Sequence, residues 1–528
     1  MRHLFLDNIN IAELNNIQRI PHQAKRHPEP VFTPKYPWET IRLQMYGNCI
    51  LFNKETKRYQ MFYLACGGDG GHYPNHIVGG KRKVGHVTLP ALAESKDGIH
   101  WEHYMTSTIS YNDILVTNIL DLHEGQSFEA GILYDEQERD PSKRYKAFIW
   151  DQIFARPVEG REEHLREGTK TEVNIFDDNN NIIYNEPYKE YGIRIAFSRD
   201  GIHWEKKPGW AIRCYSDTGQ SPLYDPQSGQ YVAFGRFNRG TFTSSDVTYG
   251  KNTGKEFNIG RSVGRVTSSD FINWSQPELV LSADNEDPES LQINSMPTSI
   301  YEGVYLGIME LDQRPLPGNL GPQLATSRDG KHWTRVERTS CIEATSKNSW
   351  DYFEPCPEGG IRPAGQLITT NDEVRFYYSA SYSSGAGTNE DRIKKTKHLI
   401  GVGMASWRRD GFVSLSAGTS EGEILTKPFI LKGPELHLNL NAEKGYAKIQ
   451  VCDMQGRPYL KGKSWEHNSG SENFYAESWN VSNYSNPITG NHLDSKVIWD
   501  NDDLEHRVGK PITLRIKLKN ADLYSFWS

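Results

Sequence analysis

Ser198–Trp204 reads SRDGIHW, and the chain repeats it: SKDGIHW at Ser95–Trp101, SSDFINW at Ser268–Trp274 and SRDGKHW at Ser327–Trp333. A worn fifth copy, WRRDGFV, spans Trp407–Val413. The aspartates stand at Asp97, Asp200, Asp270, Asp329 and Asp410, with gaps of 103, 70, 59 and 81 residues. Self-similarity on this scale marks an array of supersecondary units. An apolar strand runs into each copy, as in GIRIAFS before Asp200. Asp-Gly then turns the chain, because Gly takes positive φ at no steric cost and Asp bonds its own backbone. The Trp opens the next strand with a large apolar face. Phe271 replaces Gly in the third copy, so a differently shaped turn is expected there. The histidines at 100, 203 and 332 lie inside corners and read as structural.

A second hairpin precedes each corner. YGNCILFNKETKRYQMFYLA, AGILYDEQERDPSKRYKAFIW, SPLYDPQSGQYVAFGRF, TSIYEGVYLGIMEL and GQLITTNDEVRFYYSAS each give an apolar strand, a polar turn and an aromatic-rich strand. Two hairpin strands, one strand into the corner and one out make four. Four-stranded units repeated five times predict the blades of a five-bladed β-propeller. Blades are expected over about 39–105, 125–210, 215–280, 290–340 and 350–418, after a Pro-rich lead-in over 1–38 in which LFLD is a candidate strand that closes the ring or covers an edge. The polar stretch 151–190 reads as a rim excursion. Beyond 418 the corners stop and alternation continues, as in ITLRIKLKNADLYSFW, predicting a separate β-sandwich over 419–528. Two strands are expected around Glu443-Lys444-Gly445, then a turn at Asp453–Gly456.

The 528 residues are too many for one core. Aromatics at 11% and 46 Gly suit an all-β protein. With 60 Lys plus Arg against 67 Asp plus Glu, the net charge is −7 and no basic stripe stands out, which argues against nucleic acid. No run of about 18 apolar residues predicts a membrane span. The first residues lack the shape of a signal peptide, although a mature chain with its signal removed would read the same. The six cysteines show no metal-ligand spacing and read as buried thiols; Cys341 and Cys356 are the one pair near enough in sequence for a loop disulfide. No metal ion or cofactor is expected.

A five-bladed propeller followed by a sandwich resembles the glycosidases of glycoside hydrolase family 32 and its relatives in families 43, 68 and 117. The Pro37–Glu39 PWE, the SxDGxxW corners and the terminal ITLRIKLKNADLYSF carry the resemblance, which spans nearly the whole chain. The family 32 signatures WMNDPNG, RDP and ECP are absent; Asp140-Pro141 matches RDP in letters but falls in a hairpin turn. The corners also lack the extra residue of the sialidase SxDxGxxW box.

In a propeller the innermost strands line a central channel. The chemistry is therefore sought where those strands open. There the chain places Trp38-Glu39 and Arg42, His123-Glu124 and Glu129, Asp217 and Gln220, Gln292 and Asn294, and Asp351 and Glu354. Glycosidic cleavage needs one protonated carboxyl and one ionised one, and a third can hold up the acid's pKa. The resemblance implies base or nucleophile, modulator and acid on blades one, two and three, which falls by blade position on Glu39, Glu129 and Asp217. Asp351 and Glu354 are the rivals. Each also has a plainer reading: Glu39 paired with Arg42, Asp217 in an Asx-turn, WDYFEP as a packed loop. Trp38, Tyr46, Phe128, Tyr215, Trp350 and Tyr352 are candidate sugar platforms, and Arg42, Arg213, Arg236 and Arg239 hint at an anionic glycan. The leading expectation is an exo-acting glycoside hydrolase on a plant or algal oligosaccharide. A non-catalytic carbohydrate-binding propeller and a polysaccharide lyase are the alternatives, the latter needing a base such as His123.

Overall fold

The structure is a computed structural model that describes residues 2–40, 42–45, 47–67, 87–111, 114–122, 129–153, 172–176, 182–187, 190–214, 216, 218–236, 261–288, 291–313, 320–352, 359–380, 401–458, 484–500 and 504–528. It divides into two compact units, Ala24–Ile368 with Arg375–Ser406, and Met1–Gln23 with Thr369–Val374 and Trp407–Ser528.

The first unit is a five-bladed β-propeller of antiparallel sheets. Blade one runs from inner to outer strand through Arg42–Gln44, Arg58–Gly67, Val87–Ser95 and Trp101–His103, with Ile50–Asn53 continuing the inner edge. Blade two uses Glu129–Tyr134, Tyr145–Ile153, Glu190–Ser198 and Trp204–Lys206. Blade three uses Ser221–Asp225, Gln230–Gly235, Val263–Ser268 and Glu278–Leu281. Blade four uses Leu291–Ser295 with Thr298–Tyr301, then Val304–Gln313, Gln323–Ser327 and Trp333–Arg335.

Blade five takes Ile361–Thr369, Glu373–Ala380 and Gly401–Arg408, and its outer strand is Lys25–Arg26. The ring is thus closed by a two-residue strand near the start of the chain. LFLD, expected to close the ring or cover an edge, does not close it; its Leu4 ends the strand His3–Leu4, which pairs with Ala521–Trp527 in the second unit. The polar insert of blade two contains a hairpin of Glu172–Phe176 and Ile182–Pro187.

The cores lie between blades. Along Tyr145–Ile153, Phe148 and Trp150 belong to the cluster shared with blade three, while Ala147 and Ile149 join the cluster shared with blade one. This alternation is the period of two that a strand imposes.

The corners work as turn chemistry demands. In the second, the Ser198 hydroxyl accepts from Gly201 N–H (2.9 Å), and Asp200 Oδ1 accepts from Ile202 and His203 N–H (2.8 and 2.9 Å). His203 Nδ1 lies 2.8 Å from Asp200 Oδ2, and the Trp204 indole donates to Gly201 O at 3.0 Å. Glycines 98, 201 and 330 sit at φ +74, +77 and +70. Phe271 occupies the same conformation at φ +63, and the Asp270 and Trp274 bonds of the corner are kept, so the expected change of turn shape does not occur. A left-handed residue costs roughly 1–2 kcal/mol. Phe271 offsets that by full burial against Phe148, Tyr231 and Trp274, worth about 1.5–3 kcal/mol.

Each corner Trp then packs on an aromatic ring in the second strand of the preceding blade. Trp101 meets Tyr377 (5.9 Å between centroids), Trp204 meets Phe62 (6.3 Å), Trp274 meets Phe148 (4.7 Å) and Trp333 meets Phe234 (5.4 Å). The corners therefore staple neighbouring blades.

The second unit is a β-sandwich whose layers share one long strand, His437–Cys452. Its first half pairs with Ala521–Trp527 and Ile488–Lys496, and its second half with Pro511–Lys519. No hairpin forms at Glu443-Lys444-Gly445; one strand runs through, with Glu443 and Lys444 exposed. The Asp453–Gly456 turn does form, with Gly456 N–H donating to Asp453 O at 3.0 Å. Ile512, Leu514, Ile516 and Leu518 are fully buried, as the alternation predicts. Ile11–Asn15 and Gln18–Pro21 form the two ends of the main strand path, so the lead-in supplies strands here. The worn corner leads into Val413–Ala417 of this sheet. Asp410 there accepts from Arg2, Ser525 and Asn439.

The five described cysteines are buried free thiols. Cys341 is one of them; Cys356, its candidate disulfide partner, lies outside the described residues. Among the described residues no helix is long and apolar enough to cross a membrane.

Candidate functional site

The innermost strands begin, the second strands end and the third strands begin at one end of the propeller, its mouth. Below it, Gly47 and Asn48 of blade one cross the axis. Asn48 N–H donates to Gln220 O (2.9 Å), and its amide donates to Pro222 O (2.9 Å) and Thr298 O (3.2 Å). Its side-chain oxygen accepts from Ser221 (2.9 Å), and its carbonyl accepts from Ile132 N–H (2.6 Å). Gly365 N–H donates to Gly47 O. Two residues of blade one thus bond to the inner strands of all four other blades and close the channel. Gly47 is required there: its φ is +57, and a Cβ would fall 1.8 Å from Gln220 O.

Above this floor, blades three, four and five bring charged side chains together. Glu310, on the second strand of blade four, is 2% exposed. It accepts from the Ser295 hydroxyl (2.7 Å) and the Asn294 amide (3.3 Å), and Arg362 Nε of blade five lies 3.6 Å away. Two residues on, Asp312 lies 3.4 Å from Arg261 of blade three. Asn294 Oδ1 accepts from both Arg261 (2.5 Å) and Arg236 (3.5 Å). Thr218 donates to Asn294 O at 2.7 Å. Burial pushes the Glu310 carboxyl above the usual carboxylate range and nearby Asp312 adds to the rise, while Ser295, Asn294 and Arg236 pull against it. The net effect favours a protonated Glu310. This sets a carboxyl shifted toward its neutral form beside amide and guanidinium groups.

Blade two carries a simpler version of the same motif. Asp151 is fully buried on its second strand, with Arg194 Nε 3.6 Å away and the guanidinium over Trp210 at 4.6 Å.

Of the residues singled out from the sequence, Asn294 and Arg236 join the mouth cluster, and Gln292 stands opposite Asp312 in the strand register. Glu39 does not open onto the mouth. It is fully buried and accepts from Lys35 and Tyr36 N–H (2.7 and 3.0 Å) and the Tyr63 hydroxyl (2.5 Å), with His103 Nε2 at 3.0 Å. Burial pushes its pKa up, but the His103, Tyr63 and Lys35 bonds outweigh that and hold it below the usual range. Trp38 is fully buried, stacked on Tyr36 and bonded to Asn118. Asp351 is 2% exposed and spent on Arg26 (2.6 Å) and the Tyr378 hydroxyl (2.7 Å). Trp350 stacks on Tyr378, and Tyr352 N–H donates to Ser349 O.

Gln220 is buried and curls back onto Ser216 and Thr218 of its own loop. Glu129 opens the inner strand of blade two opposite Trp150. Arg42 pairs with Cys66. The side chains of Arg42 and Glu129 lie outside the described residues, as do His123, Glu124, Asp217 and Glu354 altogether. Among the described residues no group of three His, Cys, Asp or Glu is placed to hold a metal ion.

Sequence reasoning missed Glu310, Asp312, Arg261 and Arg362. The signal available was VYLGIMELDQ, an apolar strand that turns acidic at its mouth end.

No family model matches the chain, and no curated protein matches it. Solved structures do match. One is an N-acetylgalactosamine deacetylase from F. plautii in complex with blood group B trisaccharide, at 14% identity and TM-score 0.42, covering 76% of this chain and 96% of that one. A β-1,2-mannobiose phosphorylase from Listeria innocua matches at 10% identity and TM-score 0.41, over 74% and 97%. A glycoside hydrolase from Parabacteroides distasonis matches at 13% and 0.38, over 75% and 97%. Likenesses this distant do not bear on the chemistry of the mouth.

Proposed function

We propose that the chain is a carbohydrate-active enzyme that cleaves glycosidic bonds at the propeller mouth, with Glu310 as the proton donor. The observation that carries this reading is the Glu310 carboxyl, kept toward its neutral form by burial at the mouth and held by Ser295 and Asn294. In the proposed step Glu310 gives its proton to the leaving glycosidic oxygen as the bond from the anomeric carbon breaks. Water then supplies the hydroxyl of the new sugar end, and its remaining proton restores the acid. Asp312 serves as the neighbouring charge that raises Glu310. Glu129, Asp217 and Glu354 are the proposed nucleophile or base, from their positions in the sequence at or ahead of inner strands. Glu39 and Asp351 are assigned to the scaffold, because their carboxylates are already occupied by fixed partners.

The floor at Gly47–Asn48 supports a blind pocket that takes a chain end, hence exo action. The glycan is proposed to be a plant or algal oligosaccharide on the resemblance alone. The test is a panel of aryl glycosides and oligosaccharides assayed with the wild type and Glu310→Gln. Turnover of at least one substrate, lowered about 100-fold or more in the variant, is expected for a general acid. Sugar binding with no turnover of any substrate would instead mean a binding module, and an ultraviolet-absorbing unsaturated product would mean a lyase.

A further inference from the structure

Resting on that reading of the mouth, we propose that Gln44 is a specificity-determining residue whose amide oxygen accepts a hydrogen bond from the hydroxymethyl group of a hexopyranose. Gln44 lies on the innermost strand of blade one, between the mouth and the floor at Gly47–Asn48. Its neighbours Leu43 and Met45 are fully buried in the apolar core, and Gln44 itself is only 3% exposed. Its amide oxygen is buried and has no hydrogen-bond partner among the described residues. A buried acceptor left unpaired costs folding free energy, and such groups are rare in folded proteins. An apolar side chain of similar length would avoid that cost. An amide at this place is therefore best accounted for by a partner that arrives from outside.

Gln44 borders a small hollow between blades one and two, walled by Phe62 and Leu64 of the second strand, Pro90 of the third, and Ala130 on the innermost strand of blade two. Leu64 stands opposite Gln44 in the strand register. Gln44 and Ala130 both belong to innermost strands, so the hollow adjoins the channel, and Ala130 directly follows Glu129 of the proposed machinery. Tyr63 also borders the hollow, but its hydroxyl is bonded to Glu39 and Asn118. The space of ≈ 20 Å³ holds one or two water-sized groups. Walls this apolar serve water poorly, because a buried water needs two to four polar partners. A hydroxymethyl group fits them: its methylene packs on the carbons, and its hydroxyl donates to Gln44 Oε1. A bulkier acetamido group exceeds the space.

The experiment is binding calorimetry on the full chain with glucose, galactose and mannose, each beside its 6-deoxy counterpart. At least one parent sugar is expected to bind about 10-fold or more tightly than its 6-deoxy form, the scale of one hydrogen bond whose buried acceptor is otherwise left unpaired. Gln44→Leu should bring the pair within about 2-fold of each other by removing that acceptor. The same variant should melt at or above the wild type, because the unpaired oxygen is gone. Gln44→Met, closer to glutamine in shape, should behave alike and covers the case in which the leucine variant fails to fold.

Equal binding of parent and 6-deoxy sugars would overturn the proposal, as would binding of none of the three parents. A preference that survives in both Gln44 variants would also overturn it, placing the hydroxyl elsewhere. A marked fall in melting temperature in both variants would make the amide part of the scaffold. Calorimetry reads no turnover, so this proposal and the catalytic one fail separately. Discrimination by Gln44 without cleavage of any substrate would sink the enzyme reading and leave the Gln44 site standing, whereas cleavage without that discrimination would do the reverse.

Discussion

A corner carboxylate and the mouth carboxylate are built from the same parts and driven in opposite directions. Asp200 is partly exposed and pushed up by what burial it has, but His203, two backbone N–H groups and Ser198 outweigh that and hold it at about 2. Glu310 is enclosed, receives one hydroxyl and one amide, and stands beside a second acid, so burial wins. The corner makes a fixed anion that shapes a turn. The mouth shifts a carboxyl toward its neutral form, as the proposed acid requires. The difference lies in how many donors converge and how much water remains, not in the residue type.

The comparison can be broken first at the floor beneath the mouth. Asn48→Ala removes three side-chain hydrogen bonds and leaves buried oxygens of Pro222 and Thr298 without that donor. At about 1–3 kcal/mol for each buried group left unsatisfied, a loss of about 3–5 kcal/mol is expected in denaturant unfolding. A loss under about 1 kcal/mol would mean that the blades do not depend on this hub.

Trp204→Ala comes next. The ring packs on Phe62 and Tyr145 but is only partly buried, so the cost falls below the 3–5 kcal/mol of a fully buried Trp, to about 2 kcal/mol. Melting should drop while turnover per folded molecule stays near normal. A variant that melts normally but fails to turn over would join the corner to the site.

The smallest effect concerns acid. The corner aspartates are depressed, Asp200 and Asp270 to about 2, so the stability they lend is full above an unfolded pKa of about 3.9 and is lost as pH falls toward 2. Asp200→Asn should lower melting slightly at neutral pH and flatten the decline between pH 4 and 2. An unchanged acid slope would contradict the assigned bonds.

The same contrast explains what the sequence disclosed. The side-chain bonds that shape the Ser198–Trp204 corner join residues within three positions, so the motif and its repeat predict the turn, the strand count and the blade number. The mouth cluster draws Arg236, Arg261, Asn294, Glu310 and Arg362 from three blades, and no local spacing records that they meet. Glu39 misled for the matching reason. Its place before an inner strand suggested the channel, but Tyr63 and His103, distant in sequence, turn its carboxylate into a keystone. Lys25–Arg26 could not be found as the ring-closing strand, since two residues carry no periodicity. Phe271 shows tertiary packing overriding a local rule, because its ring fills an interblade core that only the left-handed turn lets it reach.

The most direct test of the division between scaffold and site is the pH dependence of kcat/KM, measured alongside melting, for wild type and Glu310→Gln. A carboxyl with a raised pKa works as an acid only while protonated, so wild-type activity should fall as pH rises through that pKa. Ionising the buried Glu310 also costs folded-state stability with rising pH. The account therefore predicts that Glu310→Gln loses about 100-fold or more in kcat/KM, loses the basic limb of the profile, and melts as high as the wild type or higher above pH 5. Wild-type-like turnover with the basic limb intact, or a large drop in melting temperature, would place Glu310 with the scaffold and contradict the account.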